Sequence, residues 1–274
     1  MKFGDSDVVL LSDGSFTLDP GAAFGIVPHQ FWSRRFLTTD AGRVTLALRI
    51  PYISGKGFSV LIDSGIGGTP DEKYTKIFEI KKAEDLISQV SEIGNPGNVD
   101  MIIHSHLHFD HFGHSLERKD DAWTFPRARL VAQRSEYTAS RRTNEFTRNN
   151  YGKIDLSLLS KAKKIQLDGT SRLKHGLTAI HTGGHTIGHQ AIIYSNGGRE
   201  MIYFGDLIPT SFHLKLPYIT AIDTFPLSTL EMKRKLISRA IRNHSVCIFN
   251  HDTEMPAAIL SGSVEDPKPE AVDL

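Results

Sequence analysis

Residues 106–111 have the sequence His-Leu-His-Phe-Asp-His, which places three imidazoles and one carboxylate within six positions. Each of these groups can donate a nitrogen or an oxygen to a divalent metal. The preceding run, Met101–Ile103, is apolar and predicts a buried strand, so the cluster would lie where the chain leaves that strand. A solvated polar turn or a group of core histidines is the alternative, and further ligand-type residues downstream favour the metal site.

The spacing within this hexapeptide favours two metal ions rather than one. His106 and His108 are two positions apart, so in an extended segment their side chains point the same way. Asp110 and His111 are adjacent and cannot both aim at that point unless the chain turns. Each pair needs at least one further protein ligand, and three candidates lie later in the chain: His185, Asp206 and His251. A carboxylate can bridge two cations through its two oxygens.

Short apolar runs bounded by Gly, Asp or His predict buried strands better than helices. We predict strands at Val44–Ile50, Leu61–Ile62, Ile102–Ile103, Arg129–Ala132, Leu177–His181, Ala191–Tyr194, Ile202–Phe204 and Ile248–Phe249. Two segments have helical patterns: Ala83–Val90, and Ser228–Arg242, which begins with a capping box of Ser228 and Glu231. Strands dominate both halves, so the layer rule predicts an α/β fold in which sheets pack together with helices outside.

The length of 274 residues allows one large domain or two small ones, and we interpret residues 1–274 as a single domain. In the stretch Ser211–Leu227 the apolar residues follow neither a helical nor a strand spacing, which is typical of a functional loop. The tail over residues 261–274 contains two prolines and several acids without apolar periodicity. We therefore expect this tail to be loose or to form a surface strap.

Charge and apolar patterning disfavour several classes of partner. The net charge of +1 gives no field of one sign to attract nucleic acid or an anionic membrane. The basic side chains from Lys233 to Arg239 are most simply the solvated face of a helix. Apolar runs such as Val8–Leu11 are too short to span a bilayer, and Met1–Asp5 has no signal-peptide pattern. Cys247 is the single cysteine, so we expect a cytoplasmic protein without an internal disulfide.

Motifs along most of the chain together resemble one known family. They are the hexapeptide, the early segment Leu61–Gly65, the segment Thr182–His189, and the later residues His185, Asp206 and His251. This combination resembles the metallo-β-lactamase-fold hydrolases from about residue 40 to residue 252. The resemblance implies an αββα sandwich, two mixed β-sheets flanked by helices, with the site along one edge. It also implies two ligand groups bridged by Asp206: one of His106, His108 and His185, the other of Asp110, His111 and His251.

The donor types and the resemblance together predict the chemistry. The set contains imidazole and carboxylate groups without a thiolate, which suits zinc and also iron, manganese or cobalt. Di-iron redox members of the family tend to have Glu at the position of His108, so a hydrolytic site is favoured. Two cations about 3.5–4 Å apart share a water, lower its pKa and polarise the substrate. Asp110 and Asp206 are the candidate catalytic carboxylates, and Asp110 can also relay a proton to the leaving group.

Other polar residues near these motifs have less direct roles. Ligating histidines usually donate their second N–H to a carboxylate or carbonyl. Asp63 therefore either orients a ligand or caps a turn. His189 resembles a structural histidine of the family motif. We interpret His104, His114 and His181 as core histidines with satisfied hydrogen bonds.

The amino-terminal segment narrows the resemblance to one branch of the family. Ser12–Asp19, Phe24–Pro28 and Gly205–Thr210 resemble N-acyl-homoserine lactonases and methyl-parathion-type organophosphate hydrolases. This branch implies a quorum-quenching lactonase that acts on a small-molecule lactone, or a phosphotriesterase or arylesterase that uses the same site. Its members are commonly homodimers, in which an N-terminal arm, here residues 1–40, contributes to the interface.

At one position expected to contact the substrate, this chain differs from the lactonases of this branch. Many of its lactonases have a Tyr three residues after the bridging Asp, where this chain has Pro209. We expect His213 or Tyr218 to supply the missing contact. We also expect aromatic residues to wall an apolar pocket for an acyl or aryl group: Phe24, Trp32, Phe109 and Phe212. A β-lactamase and a nuclease are disfavoured, while a thioesterase of the glyoxalase II kind and a metal-bearing binding protein without turnover stay open.

Overall fold

Strand-forming segments in the first half of the chain build a mixed sheet. The computed structural model describes residues 1–68, 72–119, 121–152 and 154–274. The strands of this half are β1 (Lys2–Phe3), β2 (Ser6–Leu18), β3 (Val44–Gly55), β4 (Phe58–Ile62), β5 (Met101–Ile103), β6 (Arg118–Lys119), β7 (Ala122–Trp123), β8 (Arg129–Gln133) and β9 (Lys164–Leu167). Within the described residues the sheet has the order β1-β2-β3-β4-β5-β8-β9, and β6 pairs with β7 separately. Pairing is antiparallel from β1 to β4 and parallel from β4 to β9.

The second half of the chain forms a second mixed sheet. Its strands are β10 (Ser171–Arg172), β11 (Leu177–His181), β12 (Gln190–Asn196), β13 (Arg199–Tyr203), β14 (Val246–Ile248), β15 (Ala257–Gly262) and β16 (Pro267–Ala271). They lie in chain order across the sheet. The pair β13–β14 is parallel, and the other neighbouring pairs are antiparallel.

The two sheets pack face to face through an apolar core. Successive strand residues point to opposite faces, so Val60 and Ile62 of β4 enter this core while Leu61 faces outward. Tyr194 and Tyr203 of the second sheet meet the first-sheet side chains in the same core.

The described residues also form nine α-helices. They are α1 (Pro20–Phe24), α2 (His29–Trp32), α3 (Glu72–Phe78), α4 (Leu86–Ile93), α5 (Phe109–Phe112), α6 (Arg134–Arg141), α7 (Arg148–Tyr151), α8 (Leu156–Lys161) and α9 (Pro226–Asn243). Buried residues of α4, α6 and α8 pack on the first sheet, and those of α9 pack on the second. This layering confirms the predicted αββα sandwich. No helix of the described residues has the length and apolar character that crossing a membrane requires.

Two predicted helices have different starts in the structure. α4 begins at Leu86 rather than Ala83, because the carboxylate of Asp85 caps its first turn. α9 begins at Pro226 rather than Ser228, and no side-chain hydrogen bond caps it. The predicted capping box is wrong, since a proline at the first position already has a helical φ and lacks the N–H that would be unpaired there.

The expectation that Lys233 belongs to a solvated basic face of α9 is also wrong. Its side chain is buried, and Nζ donates hydrogen bonds to the carbonyls of Lys215, Leu216 and Tyr218. Lys235, two residues further, is exposed and pairs with Glu231 at 2.6 Å. The basic run therefore contains one residue that fixes the preceding loop and others that face solvent.

Segments near both ends of the chain are strands of the sheets. Residues 2–18 of the expected amino-terminal arm form β1 and β2, which pair within the first sheet. Of the two alternatives for the tail over residues 261–274, loose or a surface strap, the loose one is wrong, because β16 pairs antiparallel with β15. β16 is an edge strand, where prolines that lack an N–H are tolerated.

Candidate metal centre

Strand ends bring the predicted ligands to one edge of the sandwich. β4 and β5 are parallel, and their carboxyl ends lead to Asp63 and to the hexapeptide. β13 and β14 are also parallel, and they lead to Asp206 and His251. The loop between β11 and β12 adds His185. After β5 the chain turns into α5, and this turn brings the second half of the hexapeptide back toward the strand ends.

The two carboxylate oxygens of Asp206 face different imidazoles. Oδ2 lies 3.3 Å from Nε2 of His185 and 3.9 Å from Nε2 of His106. Oδ1 lies 3.2 Å from Nε2 of His111 and 3.2 Å from Nε2 of His251. A carboxylate placed in this way can bind two cations at once, one through each oxygen.

The remaining predicted ligands complete two groups around Asp206. Nδ1 of His108 is 3.1 Å from Nε2 of His185, and Oδ2 of Asp110 is 3.5 Å from Nε2 of His251. Among the described residues, three sets have donor atoms within 4.8 Å of one another: His106, His108 and His185; His106, His111 and Asp206; Asp110, His111 and His251. All seven predicted ligands therefore lie together and are buried.

Two nitrogens of this cluster have no hydrogen-bond partner among the described residues. They are Nε2 of His106 and Nε2 of His111, and both are buried. Buried polar atoms of proteins are normally hydrogen-bonded. Unpaired nitrogens that face carboxylate oxygens fit the coordination of a cation.

Other groups orient the histidines through their second ring nitrogen. Nδ1 lies within hydrogen-bond distance of an oxygen in four pairs: His111 with Asp63 at 2.7 Å, His185 with Asp223 at 2.8 Å, His251 with the carbonyl of Ala47 at 2.7 Å, and His106 with the hydroxyl of Ser105 at 3.0 Å. Such contacts fix the ring so that Nε2 faces the centre of the cluster. The contact of Asp63 with His111 fits the first of its two expected roles, that of orienting a candidate ligand.

Burial and charge shift the pKa values of the cluster in opposite directions. Burial lowers the pKa of His106 and of His108 well below the ordinary value, which favours the neutral, metal-binding form. Burial opposes the charged form of His111 as well, but nearby carboxylates, Asp206 foremost, raise its pKa well above the ordinary value. Burial also opposes the charge of Asp206, yet the surrounding histidines hold its pKa well below the usual range. The carboxylate of Asp206 is therefore anionic and lies among imidazoles of which two, those of His106 and His108, are neutral.

Gly205 allows the chain to place Asp206 beside the histidines. Its φ of +53° lies in the left-handed region, where glycine has no steric penalty. A Cβ at this position would lie 2.7 Å from Cβ of Ser105 and 2.8 Å from Nε2 of His189. Nδ1 of His189 is 2.6 Å from the hydroxyl of Thr182, and burial lowers the pKa of this histidine to about 3.

A cavity of about 70 Å³ adjoins the cluster. Its wall includes the cluster residues His108, Asp110, Asp206 and His251, the apolar residues Phe16, Leu46, Phe78, Phe109 and Ile222, and the polar residues Thr210 and His213. A second cavity of about 280 Å³ lies on another side of Phe109 and is lined mainly by apolar residues. The cluster thus faces a small space whose surface is mostly apolar and which has four further polar side chains, those of Asn150, Thr210, His213 and Thr220.

The expected substrate contacts divide between this wall and the interior behind it. Phe109 and His213 line the cavity. Phe24 and Trp32 do not: they are buried and stacked with ring centroids 5.2 Å apart, and the Phe24 ring lies behind His213. Tyr218 packs against the same aromatic cluster and is also absent from the wall. Of the expected substrate contacts, Phe24, Trp32 and Tyr218 therefore lie behind the wall of this cavity and not in it.

The three histidines interpreted as core residues have different surroundings. His104 is buried with Nε2 3.0 Å from the hydroxyl of Ser115, but its Nδ1 has no hydrogen-bond partner among the described residues, so the expectation that both nitrogens are satisfied is wrong. His114 is buried between the carboxylates of Asp13 and Glu117, which raise its pKa to about 9 against the effect of burial. The interpretation of His181 is wrong, because this residue is half-buried at the end of β11.

Three polar residues around the site were not found from the sequence. Nδ2 of Asn250 donates to Oδ1 of Asp206 at 3.0 Å, and the hydroxyl of Tyr203 donates to Asp63 at 2.6 Å. Both residues lie on predicted strand ends, which is a signal that could have identified them. Glu136 lies in α6, far in sequence from every motif, and its buried carboxylate accepts four hydrogen bonds.

Comparison with known proteins gives the family of this chain. Residues 52–251 match the family described as the metallo-beta-lactamase superfamily. The match covers more than half of the chain, and the chain belongs to this superfamily.

Several individual proteins are similar to the chain. An N-acyl homoserine lactonase of Bacillus sp is 22% identical over 180 residues, which cover 64% of this chain and 65% of that protein. The chain thus matches slightly less than two thirds of the length of this relative. The structure of a probable metal-dependent hydrolase from Staphylococcus aureus has a TM-score of 0.90 and 26% identity, with 100% of this chain and 99% of that chain covered. AidC, a dizinc quorum-quenching lactonase solved with a product, N-hexanoyl-L-homoserine, has a TM-score of 0.79 and 17% identity, with 100% and 97% covered.

Proposed function

We propose that this chain is a dinuclear metal-dependent hydrolase that opens an N-acyl-homoserine lactone or a similar lactone. The observation that carries the proposal is the placement of Asp206, whose two carboxylate oxygens each face a different pair of imidazole nitrogens at 3.2 to 3.9 Å. A single metal would need only one of these oxygens, whereas a pair of metals would use both.

The donors present fit two divalent ions. One ion would be held by His106, His108, His185 and one oxygen of Asp206, and the other by Asp110, His111, His251 and the other oxygen. Imidazole and carboxylate donors suit zinc best and also accept iron, manganese or cobalt. When bound, such a pair supplies an activated water and a positive charge that polarises the substrate carbonyl.

The chain's own residues would perform the remaining steps. Asp110 lines the cavity, so its carboxylate is placed to accept the proton that the attacking water loses and to deliver it to the departing alkoxide of the lactone. Asn250 fixes Asp206 by donating to Oδ1 at 3.0 Å, which keeps the shared carboxylate in one orientation. The apolar wall around Phe109 excludes bulk water from the reacting groups.

The shape and lining of the cavity support a small neutral ester as substrate. Its wall is mostly apolar, with Thr210 and His213 as polar groups near Asp206. The lactonase relatives favour the homoserine lactone class. Pro209 lies in the same wall, so the hydrogen bond that many lactonases obtain from a Tyr at this position would come from another group.

A homodimer and a cytoplasmic location are further parts of the proposal. Ile26 and Leu37 are 85% and 91% exposed, and both lie in the segment expected to form the subunit contact. Exposed apolar side chains of this kind are typical of interaction surfaces. The cytoplasmic location rests on the single cysteine, Cys247, which is buried.

Metal analysis followed by a substrate panel tests the proposal. We expect about two metal ions per chain, activity that is lost with a chelator, and recovery with zinc, manganese or cobalt. Asp206→Ala should lose both metal and activity. His175→Ala, at an exposed histidine outside the cluster, is the matched control and should keep both.

The panel contains short- and long-chain homoserine lactones, a δ-lactone, a paraoxon-type triester, p-nitrophenyl acetate, a thioester and a cephalosporin. The highest kcat/KM on a homoserine lactone is the expected result. Faster turnover of the triester or aryl ester would replace the lactonase with a phosphotriesterase or arylesterase. Tight binding of one compound with no turnover of any would contradict the enzyme and favour a metal-bearing binding protein.

A further inference from the structure

We infer that Glu136 is a positioning residue that fixes one half of the metal centre, the group formed by His106, His108 and His185, which we name the three-histidine half. The inference rests on the proposed function, because it concerns the proposed ligands. It assigns a role to a residue that touches none of the reacting atoms.

The carboxylate of Glu136 is fully buried and accepts four hydrogen bonds. Oε1 accepts from the backbone N–H of Leu107 at 3.1 Å and from the hydroxyl of Tyr151 at 2.9 Å. Oε2 accepts from the hydroxyl of Thr186 at 2.7 Å and from the backbone N–H of Gly188 at 3.1 Å. Both oxygens of the side chain are thus engaged by two donors each.

These four bonds join two segments that are distant in sequence. Leu107 lies between His106 and His108, while Thr186 directly follows His185. One carboxylate therefore holds the β5 segment and the β11–β12 loop at a fixed separation. The ring of Tyr151 adds to this arrangement, because it packs edge-on against His108 with centroids 5.0 Å apart.

Close packing confirms that the loop lies directly on the helix that carries Glu136. A Cβ at Gly188 would lie 2.5 Å from Cβ and 2.5 Å from the backbone nitrogen of Glu136. Only glycine fits such an approach without displacing the helix. Glu136 itself lies in the first turn of α6, where the helix dipole and the four donors oppose the effect of burial, which raises the pKa of its carboxyl.

The chemistry of the four donors requires an acceptor at both oxygens. In Glu136→Gln an amide NH₂ replaces one oxygen and faces two donors. A hydroxyl can rotate to accept, but a backbone N–H cannot, so at least one of the bonds from Leu107 or Gly188 is lost. The change leaves size and shape nearly the same, so its effect reports on the bonds.

The other half of the centre is braced by Asp63, which also holds Ser105, whose hydroxyl lies 3.0 Å from Nδ1 of His106. Asp63 accepts from the backbone N–H of Ser105 at 2.6 Å, from its hydroxyl at 2.7 Å and from Tyr203 at 2.6 Å, and it contacts His111 at 2.7 Å. Loss of Glu136 should therefore weaken one metal position and leave the position of Asp110, His111 and His251 nearly unchanged.

The test compares the wild type with Glu136→Gln by stepwise zinc titration against a chromophoric chelator. We expect one of the two binding steps to weaken by about 10–100-fold and the other to stay within error of the wild type. Amide hydrogen exchange of the metal-free proteins is the second measurement, and it should accelerate in residues 105–108 and 183–188 together.

Glu200→Gln is the matched control, because Glu200 is a largely buried carboxylate that accepts hydrogen bonds from Arg239, Asn243 and Ser245 away from the metal centre. This variant should lower thermal stability. It should leave the affinity of both zinc-binding steps and the amide hydrogen exchange of residues 105–108 and 183–188 unchanged. If Glu136→Gln does not fold, Tyr151→Phe and Thr186→Val replace it, because each removes one donor to Glu136. We expect the same effects on zinc binding and hydrogen exchange in these variants, but smaller ones.

The outcomes separate this inference from the proposed function. A wild-type protein that binds no metal would contradict the proposed function. The hydrogen-exchange measurement on the metal-free proteins would then still test whether Glu136 holds the two segments together. Glu136 would not have this role if amide hydrogen exchange were unchanged in residues 105–108 and 183–188. Equal weakening of both zinc-binding steps would also overturn the inference.

Discussion

Oδ2 of Asp63 lies 2.7 Å from Nδ1 of His111, and both side chains are buried. Asp63 has a φ of +61°, which places it in the left-handed region that few residues other than glycine adopt, although Asp tolerates it best together with Asn. Burial opposes its charge, yet His111 and its other donors keep the pKa of this carboxyl below the ordinary value. The turn after β4 thus holds a strained backbone in order to present an ionised carboxylate to a candidate ligand.

Asp63→Asn should weaken the half of the centre that contains His111. Asn tolerates the left-handed conformation, so the backbone stays the same while one acceptor oxygen becomes a donor. We expect zinc affinity at this half to fall by about 10–100-fold and the free energy of unfolding to fall by about 1–3 kcal/mol. Zinc titration and chemical denaturation measure both effects.

Asp121→Asn is the control for backbone conformation. Asp121 has a φ of +64° and a fully exposed side chain. This variant should behave like the wild type in both measurements. An Asp63→Asn protein with both zinc steps intact would show that the contact to His111 does not support metal binding.

The buried pair of Asp13 and His114 makes stability depend on pH. The two carboxylates that contact His114 raise its pKa to about 9 in the folded protein, above the value of about 6.5 in an unfolded chain. A raised pKa contributes stability that is fully present below the unfolded value and is lost as the pH rises through the folded value. The contribution should therefore be present at pH 6 and should fall between pH 7 and pH 9.5.

His114→Gln isolates this contribution. The difference in unfolding free energy between the wild type and the variant should be as much as about 3 kcal/mol at pH 6 and much smaller at pH 9.5. Urea denaturation at several pH values measures it, with His29→Gln at an exposed histidine as the control. A difference that stays constant across this range would mean that folding does not raise the pKa of His114.

The positions of most strands could be predicted because apolar runs end in polar residues. Leu177–His181 has the predicted bounds, and the runs before Asp63, Asp206 and His251 are strands as expected. β16 could not be predicted, since its pairing depends on the neighbouring β15 and not on any apolar period of its own.

The candidate ligands could be predicted from sequence because they are clustered or follow strand ends, whereas their supports could not. Glu136 and Lys233 are charged residues on helices, and a helical pattern favours solvent for both. Both residues are buried because of partners that are distant in sequence. Four donors bind the carboxylate of Glu136, and the ammonium group of Lys233 donates to three carbonyls. Only the folded structure shows that these partners meet.

Lys233→Met should destabilise the loop that precedes α9. The variant keeps the apolar stem but leaves the carbonyls of Lys215, Leu216 and Tyr218 without their shared donor. We expect the free energy of unfolding to fall by about 1–3 kcal/mol and hydrogen exchange to increase in residues 215–220. Lys235→Met, at an exposed lysine on the same helix, is the control and should change neither quantity. Equal stability of the two variants would show that the three hydrogen bonds do not support the loop.

His213 should support the cavity wall without taking part in proton transfer. Its Nδ1 is 2.8 Å from the hydroxyl of Thr210 and its Nε2 is 3.0 Å from the carbonyl of Ala23, so both ring nitrogens are already engaged. Burial lowers its pKa to about 4, which keeps the ring neutral from pH 5 to pH 8. His213→Ala should therefore displace Thr210 and reduce kcat/KM on the best panel substrate by about tenfold. The pH profile of kcat/KM should be unchanged.

Tyr218→Phe is the matched comparison, because Tyr218 does not line the cavity, and it should leave kcat/KM unchanged. A pH profile that loses one limb in His213→Ala would instead identify this histidine as an acid or base in the reaction.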